Sequence, residues 1–274
     1  MTKQSKTALV TGASSGIGAA ASELLAEKGY QVFATARSVD KLEKLRSNLI
    51  EPLFLDVTDQ ESINKAFEKV SQPSGRLDVL VNNAGYGGFG VIEGISEEDA
   101  RRQFDVNVFG AMEVIKAALP MMRSQASGKI IQLASVVSDV SMPVSGWYAA
   151  SKHAIQALMD ALRLEVESFG IKVVMIKPGP IDSGFEDAAL KELKESKAPA
   201  AYDPIIENFT EAMRKSYADC PGPETVMKVL AKILDRDDPN PSYADTFQSK
   251  MMIKAKDLLP EKVFDSATRS KVGT

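Results

Sequence analysis

The chain has 274 residues with 33 basic and 37 acidic side chains, a net charge of −4, and is 44% hydrophobic and 26% charged. That balance is ordinary for a soluble globular chain and argues against a nucleic-acid binder, which needs a basic face; no apolar run is long enough to span a bilayer, and Met1–Lys6 is too short and polar for a signal peptide. One cysteine (Cys220) and one histidine (His153) exclude a disulfide scaffold, a Cys/His metal site and any Ser-His-Asp triad that omits His153.

In chain order, the β-rich Thr7–Val10 runs into the glycine-rich Thr11–Gly18, and the spacing predicts a helix over Ala19–Lys28 ended by Gly29. A strand over Gln31–Ala36, a charged helix over Asp40–Asn48, a strand over Pro52–Leu55, a helix over Asp59–Val70 and a strand over Leu77–Val81 follow. Ser96-Glu97-Glu98-Asp99 resembles a capping box and opens a long helix reaching about Met122. Lys129–Leu133 and Ile171–Ile176 are strands around a helical Trp147–Phe169. Strands alternating with helices predict an α/β fold, a doubly wound parallel sheet covered on both faces, in one domain spanning 1–274. Its core covers about 5–183, a less regular substrate lid about 184–223 and a C-terminal return 224–274. Within the lid, Glu186–Lys197 is an amphipathic helix placed to cover a ligand crevice; Glu224–Leu234 is the last predicted helix, before a turn at Asp237–Pro241 and a short run near Tyr243.

Ligands of such sheets bind beyond the carboxyl ends of the strands, where strand order reverses. Gly12, Gly16 and Gly18, with Ser14, Ser15 and Ile17 between them, form a loop whose backbone approaches a pyrophosphate at a helix N-terminus. The spacing GxxxGxG departs from the common dinucleotide fingerprint, and no Lys-Ser or Lys-Thr follows to suggest a Walker loop. At the end of the second strand, Ala36-Arg37 stands where a free ribose 2′-hydroxyl would want an acid. A guanidinium there points to a 2′-phosphate, hence NADP(H).

With histidine scarce, Tyr148 and Lys152, four residues apart on one helix face, are the candidate acid–base pair. An ammonium about 4 Å from the phenol stabilises tyrosinate by roughly 4 kcal/mol at an effective dielectric near 20, pulling its pKa below 10. These residues, together with Thr11–Gly18, Asp56-Val57, Asn82–Gly85, Asn107, Ser135 and Pro178-Gly179, match in order and spacing the Rossmann-type short-chain dehydrogenase/reductase family, which the chain resembles from about Thr7 to Ser183.

The resemblance implies Tyr148 as general acid in carbonyl reduction, Ser135 as hydrogen-bond partner of the carbonyl, and Lys152 tuning Tyr148 and holding the nicotinamide ribose. It also implies Asn107 as anchor of a proton-relaying water, Asp56 and Val57 facing the adenine, Asn83, Ala84 and Gly85 along the adenine-ribose side, and Pro178, Gly179, Ile181 and Ser183 against the nicotinamide. Ser183 stands where the family more often has Thr and keeps the hydroxyl. The Lys254–Pro260 stretch is similar to the C-terminal part of bacterial relatives of steroid and retinol dehydrogenases; with Val144, Trp147 and Phe185 near the crevice, it implies a hydrophobic ketone or aldehyde. The expectation is an NADPH-dependent carbonyl reductase without a metal, working on a small apolar carbonyl or alcohol, cytoplasmic and assembled as a homodimer or homotetramer. An NAD-linked alcohol dehydrogenase and a non-catalytic dinucleotide sensor on the same fold are the alternatives.

Overall fold

A computed structural model describes residues 6–72 and 75–272. Most of the Met1–Lys6 stretch and the extreme ends of the predicted domain lie outside the described residues. Among the described residues, seven parallel strands form one sheet in the order β3-β2-β1-β4-β5-β6-β7. They are β1 (Thr7–Thr11), β2 (Gln31–Ala36), β3 (Ile50–Phe54), β4 (Val79–Asn82), β5 (Gly128–Leu133), β6 (Ile171–Lys177) and β7 (Ser242–Ala244). The central strands are Val-, Ile- and Leu-rich because both faces must be covered.

Alternation along each strand divides the core. Leu9, Phe33, Leu80 and Ile130 pack on one face against α2 (Gln60–Ser71), α4 (Ala111–Ser124) and α5 (Gly146–Val166). Ala8, Val32, Val81 and Ile131 pack on the other against α1 (Gly16–Glu27) and α8 (Glu224–Leu234). On this second face Lys129 closes the end of α8, its Nζ donating to the carbonyls of Ile233, Leu234 and Arg236 at 3.0, 2.9 and 2.6 Å. An ammonium there answers both the carbonyls at the helix end, of which Ile233 O also accepts from Arg236 N at 3.3 Å, and the helix dipole. Lys129→Met is expected to lower unfolding stability by about 2 kcal/mol. A denaturant midpoint that falls with an unchanged slope would register the loss; an unmoved midpoint would show that water replaces the cap.

Three predicted helices are corrected. Over Asp40–Asn48 the chain makes two short 3-10 turns, Val39–Lys41 and Glu43–Leu45. The Ser47 hydroxyl accepts from the amides of Leu49 and Ile50 and turns the chain into β3, so no longer helix forms. The single helix over Ser96–Met122 is instead α3 (Glu97–Phe104), a π-helical segment Asp105–Gly110, and α4. The extra residue falls where Asn107 bonds a neighbouring loop, and such bulges concentrate at functional sites. The Trp147–Phe169 helix ends at Val166 and tightens to a 3-10 turn over Glu167–Phe169 before Gly170 at φ 70°.

The predicted lid is more regular than its sequence suggests. It comprises α6 (Phe185–Glu195), a 3-10 turn Ala200–Tyr202, and α7 (Asp203–Ala218). Pro204 sits in the first turn of α7, where a missing N–H costs nothing. Beyond β7 come α9 (Phe247–Leu258) and α10 (Glu261–Val272), neither of which the sequence reading placed. Among the described residues no helix is long and apolar enough to cross a membrane, and no three His, Cys, Asp or Glu side chains gather as metal ligands.

Candidate active site

Strand order reverses between β1 and β4, and the carboxyl ends of these strands are stitched together by side chains. The Thr11 hydroxyl accepts from the amides of Asn83 and Ala84, both at 2.9 Å, and donates to Asn82 Oδ1 at 3.2 Å. Asn83 Nδ2 donates to the carbonyls of Thr11 and Gly12 at 2.9 and 3.1 Å, while Asn82 Nδ2 reaches Ala111 O and Gln132 Oε1. Both asparagines therefore do more than form a turn.

The glycine loop lies against this seam. Gly12 (φ 66°) is so close to Ala84 that an added Cβ would stand 2.9 Å from its Cα, and at Gly16 (φ 53°) one would stand 2.7 Å from Ser183 Cβ. Residues 167 positions apart in the chain thus meet at one rim. Ser15, exposed at the cap of α1, makes no side-chain bond to the first amides, and no carboxylate stands in the first turn. That arrangement leaves the helix N-terminus suited to an anion. Ser14 and Ile17 are half-buried, and Gly18 is buried under the loop. Ala13 N donates to Thr35 O at 2.9 Å, which sets the end of β2 beside the loop with Arg37 exposed at its edge. Asp56 follows β3, its Oδ1 accepting from the amide and hydroxyl of Thr58, and Val57 is buried beside it.

Tyr148 lies in the first turn of α5 and Lys152 one turn later, both 7% exposed. Ser135, after β5, sets its hydroxyl toward the Tyr148 phenol and lowers the cost of its ionisation. It also caps a 3-10 turn: its Oγ accepts from Val137 N, and its own amide donates to Ser138 Oγ, both at 3.3 Å. Asn107 is buried in the π-helical segment; its Oδ1 accepts from Tyr86 N at 3.0 Å and its Nδ2 donates to Tyr86 O at 2.8 Å and Ser151 Oγ at 3.1 Å. Gly85 is the contact between Asn107 and Lys152, since a Cβ there would lie 3.0 Å from Asn107 Oδ1 and 3.7 Å from Lys152 Nζ.

The electrostatics correct the simple picture of an ammonium beside the phenol. Lys152 Nζ is 5.8 Å from the centre of the Tyr148 ring, over its face, and donates to Leu133 O at 3.3 Å. Burial pushes the Tyr148 phenol up to about 12, the Ser135 bond only partly opposing it. Burial likewise pulls the Lys152 ammonium down to about 8. Loss of water disfavours both charged forms, and in the protein alone it outweighs their attraction.

An apolar wall surrounds the phenol. The Tyr148 ring packs on Phe89 and Phe185 at 5.3 and 5.7 Å between centres, and Phe89 on Phe209 of α7 at 5.7 Å. Val136, Val137, Val144, Leu193 and Met213 complete the cluster. Val144 sits at φ 65°, a strained conformation for a β-branched residue, and its carbonyl accepts from Gly90 N at 2.8 Å. Of the three predicted substrate-side residues, Val144 and Phe185 stand in this wall. Trp147 instead packs edge-on against Phe104 and borders a neighbouring cavity with Tyr86 and Gln103.

Phe209, Met213 and Tyr217 of α7 escaped the sequence reading, although 205, 209, 213 and 217 form an apolar stripe of period four. Burial raises the Tyr217 pKa, and repulsion from a Tyr148 phenolate would add to the rise. Also missed was the anchor of the Pro178-Gly179 turn. Gly179 N donates to Asp245 Oδ1 at 3.1 Å, and Ser249 Oγ donates to the same oxygen at 2.7 Å. No local pattern links residues 66 positions apart. The Ile181 side chain is buried in the core beside α1 and α8, which leaves its backbone to meet a ligand. Ser183 Oγ donates to Ile181 O at 3.2 Å. His153 is exposed with Nδ1 on Ala149 O, and burial raises the Cys220 thiol pKa; neither joins the cluster.

Residues 6–194 match the family model described as short chain dehydrogenase. A 3-ketodihydrosphingosine reductase of Bacteroides thetaiotaomicron is 34% identical over 270 residues, covering 95% of this chain and 96% of that protein. Among solved structures, a short-chain dehydrogenase from Streptomyces avermitilis superposes with a TM-score of 0.83 at 30% identity, covering 99% of this chain and 98% of that one. An alcohol dehydrogenase from the archaeon Thermococcus sibiricus, complexed with 5-hydroxy-NADP, has a TM-score of 0.71 at 29% identity over 87% of this chain and 95% of that one.

Proposed function

The chain belongs to the short-chain dehydrogenase/reductase family of oxidoreductases, and within it we propose an NADPH-dependent reductase of ketones or aldehydes with an apolar body, reversible to alcohol oxidation. The observation that carries this reading is the Ser135–Tyr148 hydroxyl pair set into a wall of Phe89, Phe185, Val136 and Val144. Two hydroxyls suit a carbonyl oxygen and the wall suits an apolar remainder.

The residues fit a nicotinamide dinucleotide. The uncapped start of α1 with Gly12, Ser14, Ser15, Gly16, Ile17 and Gly18 would take the pyrophosphate, and Arg37 the 2′-phosphate. Asp56 and Val57 would border the adenine, and Asn83, Ala84 and Gly85 its ribose. Pro178, Gly179, Ser183 and the Ile181 backbone would border the nicotinamide, with Lys152 on its ribose. When bound, the cofactor supplies the hydride to the carbonyl carbon. Ser135 then orients the carbonyl oxygen and Tyr148 protonates it as charge develops there. Lys152, with a water held at Asn107, returns a proton to Tyr148. The 184–223 segment acts as the lid over the substrate. The exposed Phe109, Leu158, Leu164 and Phe169 support a homodimer or homotetramer, and a cytoplasmic location completes the reading.

Arg37→Ala is expected to raise the KM for NADPH by about tenfold to a hundredfold, the worth of a charge-assisted pair, and to leave NADH turnover unchanged. Assays of hydrophobic ketones, aldehydes and alcohols with both cofactors read this directly. An NADPH-to-NADH ratio unaffected by the substitution would return the choice to the NAD-linked alternative.

A further inference from the structure

Helix α9 packs on the fold with one face and exposes large apolar side chains among charged ones on the other. Inward, Met252 and Ile253 pack against the cluster that walls Tyr148, and Ser249 bonds Asp245. Outward, Phe247, Met251 and Leu258 lie on a single stripe at spacings of four and seven and are 76%, 49% and 80% exposed. Leu259 and Val263, which follow α9 in the chain, are exposed as well. Lys250 and Lys254 share this outward face.

A second observation lies beside it. Between α8 and the β7–α9 corner is a groove of about 400 Å³ whose cationic lining is Lys228, Lys232 and Lys250, with Thr225 and Thr246 alongside. Its one acid, Asp245, has Oδ1 already bonded by Gly179 N, Thr246 N and Ser249 Oγ. Lys232 also stands 5.7 Å from the centre of the Tyr243 ring. Among the described residues none of these three lysines, nor Lys254, makes an ion pair. The asymmetry extends to the whole chain: residues 247–274 carry six basic and three acidic side chains, in a protein of net charge −4.

We propose that the face formed by α8 and α9 docks on the surface of an anionic phospholipid bilayer. Phe247, Met251 and Leu258 would enter the boundary between headgroups and acyl chains, while Lys250 and Lys254 extend their ammonium groups back to the headgroups. Lys228 and Lys232 would meet lipid phosphates in the groove. A second copy packed face to face would bring these lysines against their own counterparts, with the exposed Asp257 the one acid on α9 to answer them, and interface cores are depleted of lysine. A bilayer surface makes no such demand.

Co-sedimentation with vesicles tests the proposal. The full-length protein is expected to pellet with vesicles of equimolar phosphatidylglycerol and phosphatidylcholine, much less with pure phosphatidylcholine, and to be released as salt rises. Lys228→Gln, Lys232→Gln and Lys250→Gln should each weaken binding about fivefold. Phe247→Ser with Leu258→Ser should weaken it tenfold or more, with the melting temperature in solution unchanged as a fold control. No pelleting with the anionic vesicles, or equal pelleting with both kinds, overturns the proposal. So does a smaller species in gel filtration of the Phe247→Ser, Leu258→Ser variant, which would show that a second copy covers this face.

Discussion

Tyr148→Phe is expected to lower kcat/KM for carbonyl reduction by about a thousandfold, the usual worth of a positioned proton donor. The substitution takes one hydroxyl and leaves a ring that still packs on Phe89 and Phe185. Ser135 loses the hydroxyl it faces but stays fixed by its cap on Val137. The expected stability change is therefore within about 1 kcal/mol, the ordinary net value of one hydrogen bond. Thermal melting beside steady-state kinetics separates a chemical loss from a folding loss. The pH dependence carries a sign as well. With burial holding the phenol up to about 12 in the protein alone, Tyr148 stays protonated through the neutral range and remains competent as an acid. Alcohol oxidation needs the phenolate, so its rate should climb as pH rises while reduction stays level or falls. A Tyr148→Phe enzyme that reduces a good ketone as fast as the wild type would end the proposed mechanism.

How much of this was legible beforehand depends on the range of the interaction. The glycine loop and the Tyr148–Lys152 spacing are local patterns with local causes, φ above zero and one helical turn. So is the division of Leu9 and Val10 onto opposite faces of β1, which follows from a period of two. The π-helical bulge at Asn107 was not legible, because it follows from bonds to Tyr86, which lies in a loop 21 residues away. Helix α7 is hidden for the opposite reason: Asp203-Pro204 in a less regular stretch resembles a turn, although proline at a helix start is favourable. The Asp245 anchor of Gly179 depends on where the chain returns after α8, which spacing does not encode. Most consequential was the charge state of the site. Spacing brings Tyr148 and Lys152 together, but only burial tells how strongly each resists its charge.

Lys152→Met should accordingly separate function from stability. Activity is expected to fall at least a hundredfold, since Lys152 is proposed both to hold the cofactor and to return a proton to Tyr148. Stability should move the other way. The Lys152 pKa is about 8 in the folded protein against 10.5 for a lysine in water, so below pH 8 both states carry the charge and the folded state bears its full burial cost. Between 8 and 10.5 the folded protein releases its proton first, the unfolded chain binds more protons, and stability rises with pH. Above that window both are neutral and the cost is gone. The gap in pKa corresponds to about 3 kcal/mol. Loss of the bond to Leu133 O offsets about 1 kcal/mol of it, the ordinary net value of one hydrogen bond, and that carbonyl keeps its bond from Gln132 Nε2 at 3.1 Å. Lys152→Met is thus expected to be more stable than wild type by about 2 kcal/mol at pH 7, with the difference closing toward pH 10.5. Tyr148 titrates higher and in both proteins, so it cancels from the comparison. Chemical denaturation at several pH values measures the difference. A variant less stable than wild type at pH 7, with a gap that does not change as pH rises, would mean that the fold stabilises the buried ammonium rather than bearing its cost for catalysis.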